Sequence, residues 1–303
     1  MAIRRRMLPM DAIPGLNGFV LYFALPSMLY RFGASSPISQ LLDPTLFLSY
    51  LLCALLMVGF TVAVSLNVRI GWDDAAFGAL VAAFPNTGFM GVPLLVALLG
   101  AGAAGPAIVT SVVDLVITTS LCVALSRLDG ADEHGAARAA KNALKAVLAN
   151  PMPWAISLGV VASAMSYELA GPLAKTVGLL ADSASPVALF TIGAVLARSQ
   201  ELTLASDHEP MLMRDYVPIA CFKLLLHPLL VLLVFSAVMQ LGFAMDRFTM
   251  VVVVLVAALP SASNVALLTE RFEANTGRVA QIILVTTVVA FFTFSGAVAV
   301  LHA

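Results

Sequence analysis

The sequence predicts an all-α polytopic membrane protein, folded as an inverted repeat with two transmembrane helices broken at mid-depth. Three observations carry that expectation. Of 303 residues, 61% are hydrophobic and only 11% charged, where a soluble domain is nearer about a quarter charged. The apolar run from about Ala75 to Leu99 could cross a bilayer, yet it contains Pro85-Asn86-Thr87-Gly88 and then Gly91 and Pro93. In the other half, Val256-Ala257-Ala258-Leu259-Pro260 repeats the approach Val81-Ala82-Ala83-Phe84-Pro85 and continues into Ser261-Ala262-Ser263-Asn264.

Such interruptions are costly. Proline removes an amide donor and clashes with the preceding turn, and glycine weakens a helix interior. In hydrocarbon each freed backbone group costs several kcal/mol unless it is buried in protein or faces water. One interruption reads equally as a kink in a packed helix; matched interruptions in two halves point to a binding site.

Taken in order, the first apolar span covers about Leu16 to Phe32, after the basic start Arg4-Arg5-Arg6. Pro26 and Arg31 spoil a cleavable signal pattern, so the span reads as a retained helix. Further spans lie at about 46–66, 75–99, 105–125, 147–165, 172–197, 217–241, 248–268 and 278–301. Each approaches the roughly 20 residues that cross the hydrocarbon core. The charged, alanine-rich connection from Ser126 to Lys145, with an amphipathic helix expected at Ala136–Leu148, separates two halves. Residues 1–125 make a first repeat of four spans, 126–146 a cytoplasmic loop, and 147–303 a second repeat of five.

Twelve of the sixteen Lys and Arg residues fall on one side of this arrangement, with Arg31, Lys175 and Arg247 on the other and Lys223 inside a span. Basic loops stay in the cytoplasm, which puts the N-terminus inside and the C-terminus outside. Pro26 in Ala24-Leu25-Pro26-Ser27 resembles Pro186 in Ala184-Ser185-Pro186-Val187, pairing span one with six; the broken spans pair three with eight. Span five has no partner, so nine spans are seen of an expected ten. The absent first helix would precede Arg4, and either a late start codon or a lost scaffold helix would account for it.

Several classes are excluded. Net charge of −1 argues against a nucleic-acid partner. Cys53, Cys122 and Cys221 lie singly in apolar runs, with neither a disulfide framework nor metal spacing. Asp207-His208-Glu209 lacks a second histidine at helical spacing, and no phosphate-binding glycine-lysine loop is present. The chain reads as no enzyme, needing no cofactor and no metal.

The chemistry centres on the two interruptions. Half-helix N-termini attract an anion, and freed carbonyls hold a cation. Asn86 and Asn264 can donate and accept without adding charge. Thr87, Ser261 and Ser263 are auxiliary ligands, or hydroxyls satisfying a nearby carbonyl. Ionisable residues deep in a membrane are functional candidates. Asp114 and Lys223 are such residues, read as coupling ion and counter-charge or as a mutual ion pair locking the helices. Asp182 reads as a helix cap, His227 as a packed histidine, and Glu270 as a solvated end residue.

These stretches resemble the auxin efflux carrier family, whose bacterial members include malate and malonate permeases. Pro85-Asn86-Thr87-Gly88-Phe89-Met90-Gly91-Val92-Pro93 is similar to the family's first crossover motif. Asn150-Pro151, the segment Ser185-Pro186-Val187-Ala188-Leu189-Phe190 with Gly193, and Lys223 with His227-Pro228 resemble its other signatures. The resemblance covers nearly the whole chain and implies two inverted five-helix repeats and transport of small organic anions by alternating access. It places substrate contact at Asn86 and Asn264, with Pro85, Thr87, Gly88, Pro260, Ser261 and Ser263 around them. Spans two to four and seven to nine would move against a scaffold of spans one, five and six. Protons or sodium are the candidate coupling ions, the bilayer and a homodimer through the scaffold helices the candidate partners. An anion-selective channel and a membrane-embedded carboxylate sensor are the alternatives.

The orientation is open to direct test. A cysteine placed at Ser35 or Gly171 should react with an impermeant thiol reagent added outside intact cells, and one at Ala131 should not; labelling at Ala131 would reverse the assignment.

Overall fold

The computed structural model describes residues 9–35, 43–67, 70–127, 151–205 and 212–302. Expectations placed on Arg4, Arg5 and Arg6, on Ala136–Leu148, on Asn150 and on Asp207-His208-Glu209 fall outside the described residues. Regular structure among the described residues is helical, apart from isolated bridges of Asn67 with Ile70 and Pro85 with Ser261.

Among the described residues, five helices are long and apolar enough to cross a bilayer: α1 (Met10–Ser35), α2 (Pro44–Ser65), α5 (Ala104–Leu125), α8 (Met213–Gln240) and α11 (Thr276–His302). The expected spans at 75–99 and 248–268 are each two helices. These are α3 (Trp72–Ala83) and α4 (Val92–Leu99), then α9 (Arg247–Ala257) and α10 (Asn264–Arg271). The described part of span five is α6 (Pro151–Ala164), and span six lies within the 35-residue α7 (Gly171–Ala205).

Local signals explain the boundaries. Asp43 caps α2, its carboxylate accepting from the amides of Thr45 at 2.9 Å and Leu46 at 3.0 Å, with Pro44 at the position where no donor is needed. Asp246 does the same for α9 through the Thr249 amide, at 2.6 Å. Gly100, at φ 88° and ψ 174°, ends α4 in a positive-φ conformation that glycine adopts freely.

Prolines explain a further feature. Residues 20–24, 87–91 and 222–226 form wide, π-helical turns, and each has a proline two residues beyond its end: Pro26, Pro93 and Pro228. A proline has no N–H to close the ladder, and its ring collides with the carbonyl four residues back. The residue before it therefore reaches one step further. The amides of Leu25, Val92 and His227 bond the carbonyls of Val20, Thr87 and Phe222.

The chain divides into two compact units. The first comprises the described residues of Met1–Ser35, Pro151–Tyr216 and Ser263–Gln281, and the second those of Ser36–Asn150, Val217–Ala262 and Ile282–Ala303. In the first unit α1 packs on α6 and α7. α1 and α6 touch backbone to backbone, because a Cβ on Gly33 would lie 2.6 Å from the Ile156 carbonyl oxygen. One on Gly159 would collide with the Tyr30 carbonyl. Arg31 Nη1 donates to Asp182 Oδ1 at 2.6 Å between α1 and α7. Asp182 is thus a side-to-side pair inside a long helix, and the cap expected of it does not exist; α7 starts eleven residues earlier, at Gly171.

The second unit is sorted inside out, as a lipid solvent demands. On α2, Tyr50, Cys53, Met57 and Thr61 are buried, while Leu48, Leu52 and Leu55 are 60%, 47% and 44% exposed. Tyr50, Val113, Val231, Phe235 and Val253 form one core cluster, and Leu95, Ala107, Val252, Leu255 and Leu259 another.

The glycine contact in the first unit makes a prediction. Gly159→Ala should lower stability by about 1–3 kcal/mol through overpacking. Gly178→Ala, where the added methyl meets nothing within 4 Å, should leave thermal unfolding in detergent unchanged.

Candidate functional site

In the second unit the two interruptions meet as an antiparallel bridge. α3 ends when the Phe84 amide bonds Leu80 O at 2.9 Å, and Phe84 turns extended at φ −94°, ψ 105°. The Asn86 amide donates to Pro260 O at 2.8 Å, and the Ala262 amide donates to Phe84 O at 2.9 Å. Pro85 and Ser261 then face each other across the pair that carries no hydrogen bond of its own. A proline is tolerated there because that position asks nothing of its nitrogen. The Ser261 amide, pointing the other way, finds Thr286 Oγ1 at 3.2 Å, and that hydroxyl donates to Ile283 O at 3.0 Å. These are breaks stitched to one another, a different object from kinks in continuous helices.

Side-chain oxygens at the bridge are left over. Asn86 Oδ1 and Ser261 Oγ are enclosed with no hydrogen-bond partner among the described residues, on residues 8% and 1% exposed. Thr87 Oγ1 leans 3.5 Å toward Pro85 O, and Gly88 lies in the wide turn beyond it. Gly91 is pinned too, since a Cβ there would meet Leu259 Cδ1 at 2.5 Å. The carbonyls of Val81, Ala82 and Ala83 lose their usual donors. Pro85 has none, the Asn86 amide turns to Pro260, and the Thr87 amide bonds Pro85 O at 2.8 Å.

Ser263 and Asn264 belong to the first unit, where they open α10. Both are buried, and Ser263 Oγ neither caps the first turn nor bonds elsewhere. The first-turn amides of α10 therefore receive no help from the serine that precedes them.

The end of α9 is treated differently from the end of α3. The Ala257 carbonyl would receive the Ser261 amide in a continuous helix, but that amide is held by Thr286. Lys223 Nζ replaces it, donating to Ala257 O at 2.9 Å. An ammonium at the negative end of a helix is favoured by the aligned peptide dipoles. Nζ is also 2.9 Å from His227 Nδ1, one turn along the same helix. With Nζ as an ammonium, which only donates, Nδ1 accepts and the ring proton falls to Nε2, which is buried without a partner among the described residues.

Asp114 lies on a wide turn of α5, residues 113–118, where the Thr119 amide and hydroxyl both reach the Asp114 carbonyl. Its carboxylate accepts from Tyr50 OH at 2.8 Å and from Thr118 Oγ1 at 3.2 Å. Tyr50 and His227 rings are 6.4 Å apart. Asp114, Tyr50, His227 and Lys223 are all fully buried. Asp114 and Lys223 do not hydrogen-bond to each other; each is met by its own partners. The histidine expected to be mere packing is the lysine's neighbour. Tyr50 is absent from the sequence-based candidates, although a buried tyrosine hydroxyl needs a partner and is a signal in itself.

With this geometry in place, comparison with known proteins becomes informative. A family model described as membrane transport protein matches residues 1–298. The chain belongs to that family, the auxin efflux carrier family. It is a family of transporters and not of enzymes. A relative from Rhizobium meliloti (strain 1021), named "Putative malonate transporter", is 27% identical over 289 residues, covering 95% of this chain and 87% of that protein.

The buried network predicts a cost. Tyr50→Phe leaves Asp114 Oδ2 without its donor and should lower stability by about 1–3 kcal/mol, read by thermal unfolding. Tyr22→Phe, on an exposed ring, should change nothing in the same measurement.

Proposed function

We propose that this protein is a secondary active transporter of small organic anions, mono- or dicarboxylates, working by alternating access in the cytoplasmic membrane. The observation that carries the reading is the bridge of Phe84–Asn86 with Pro260–Ala262, which keeps two interrupted helices together and leaves Asn86 Oδ1 and Ser261 Oγ unpaired. A helix broken only for shape would bury no such groups, since each unpaired polar atom costs free energy that an apolar side chain avoids.

In this reading Asn86 and Asn264 hold the substrate, with Pro85, Thr87, Gly88, Pro260, Ser261 and Ser263 shaping the site. The carboxylate is drawn by the half-helix N-termini at Thr87 and Asn264. The coupling ion, a proton or sodium, has two candidate places: Asp114, and the carbonyls of Val81, Ala82 and Ala83. Lys223 already neutralises the equivalent end of α9. Residues 1–125 and 147–303 are read as inverted repeats, with the N-terminus in the cytoplasm. The grouping of α1, α6 and α7 in one unit supports a scaffold that contains those helices, and the same unit also holds α10. A homodimer through that scaffold belongs to the same reading, and the named relative makes malonate the first substrate to try.

Counterflow in proteoliposomes tests the proposal. Labelled malonate should exchange with unlabelled malonate or a close dicarboxylate inside, without a conductance; a current would mark a channel, and binding alone a sensor. Asn86→Ala and Asn264→Ala should each weaken substrate binding by about 1–3 kcal/mol with little change in thermal stability. Normal exchange by both variants would place the site elsewhere.

A further inference from the structure

Arg271 stands at the last position of α10, the helix that begins with Asn264, and is half-buried in the first unit. Its guanidinium carbon is 5.3 Å from the centre of the Tyr22 ring and 5.6 Å from that of Phe272. No carboxylate among the described residues ion-pairs with it. Aromatic rings engage the flat faces of a guanidinium. Its N–H groups lie in the plane, so they remain available as a fork that fits a carboxylate in bidentate fashion.

Those edges have somewhere to meet a ligand. An open pocket of about 220 Å³ is walled by Pro14, Leu21, Tyr22, Leu267, Glu270 and Arg271. A water's share of liquid volume is about 30 Å³, so the pocket has room for several waters or one small dicarboxylate. Asn264, Leu267 and Arg271 follow at i, i+3 and i+7 along one face of α10, which spans about 10 Å. The pocket therefore lies on the face of α10 that carries Asn264 at its other end.

We infer that this pocket is an oxyanion site in which Arg271, held by Tyr22 and Phe272, pairs with a carboxylate of the transported anion, half a membrane helix from Asn264. The anion's identity rests on the transport reading above; the geometry of the site does not. Glu270, itself partnered, puts a negative charge on the same wall and keeps the anion weakly held. A station on a transport path must release what it binds. The phosphate of a lipid headgroup shares the chemistry of a carboxylate here, and the test separates the two.

Phenylglyoxal modifies guanidinium groups, and mass spectrometry reads each arginine separately. In purified, lipid-free protein in detergent, millimolar malonate should slow modification of Arg271 by about threefold or more, while the exposed Arg247 reacts as before. In proteoliposomes Arg271→Gln and Tyr22→Leu should each raise KM for malonate by roughly tenfold with turnover little changed, the pattern of lost ground-state binding; Tyr22→Phe should behave as wild type. Protection by phosphatidylglycerol vesicles but not by malonate overturns the inference, and so does protection by neither. Should the variants fail to fold, the protection experiment on wild-type protein still decides. If wild-type protein exchanges no carboxylate yet malonate shields Arg271, the oxyanion site stands and the transport reading falls.

Discussion

Two backbone hydrogen bonds, Asn86 N to Pro260 O and Ala262 N to Phe84 O, are the interaction on which the second unit depends. Breaking a helix in an apolar environment strands amides and carbonyls that have no water to turn to. A lone break would have to find partners among side chains. Two breaks set antiparallel satisfy each other, and the pair that needs no donor falls where proline has none to give. Two of the remaining groups are met singly: Thr286 takes the Ser261 amide, and Lys223 takes the Ala257 carbonyl.

Proline has a second effect at a distance of two residues. Each wide turn inserts an extra residue into the helical repeat, rotating the later turns of the helix relative to the earlier ones. Lys223 sits in such a turn ahead of Pro228, and Asp114 in another held open by Thr118 and Thr119. Wide turns of this kind recur at functional sites because they re-aim a side chain without ending the helix. Burying two ionisable groups is costly unless their hydrogen-bonding capacity is met. Tyr50 and Thr118 meet it for the carboxylate, while His227 and a helix end meet it for the ammonium.

The sorting of side chains differs from that of a soluble protein. Many large apolar residues, among them Leu48, Leu233 and Phe291, lie outward, while polar residues that a soluble fold would expose, such as Asp114 and Lys223, are enclosed with the apolar core. Among the enclosed groups of the described residues, those that remain unpaired lie at the interruptions or beside the charged network, with Thr61 and Ser65 of α2 as the others. The first unit uses a different device. Its α1 and α6 approach through Gly33 and Gly159, where packing of backbones supplies what a hydrophobic driving force between helices cannot in lipid.

What the sequence determined by itself is the class of the protein and the location of its breaks. Composition, run lengths and the two VAA-apolar-Pro approaches are local properties, and local properties survive without a fold. The prolines, asparagines and glycines of residues 85–93 and 260–264 were legible for that reason, as was the oddity of Asp114 and Lys223 in apolar runs. Tertiary structure alone decided that Pro85 faces Ser261, that Lys223 serves the end of α9 and leaves Asp114 to Tyr50, and that Asp182 pairs with Arg31 and caps nothing. Each of those pairings joins residues 34 to 176 positions apart. A hydrogen bond between distant segments is fixed by how whole helices pack, and no periodicity within one helix encodes it.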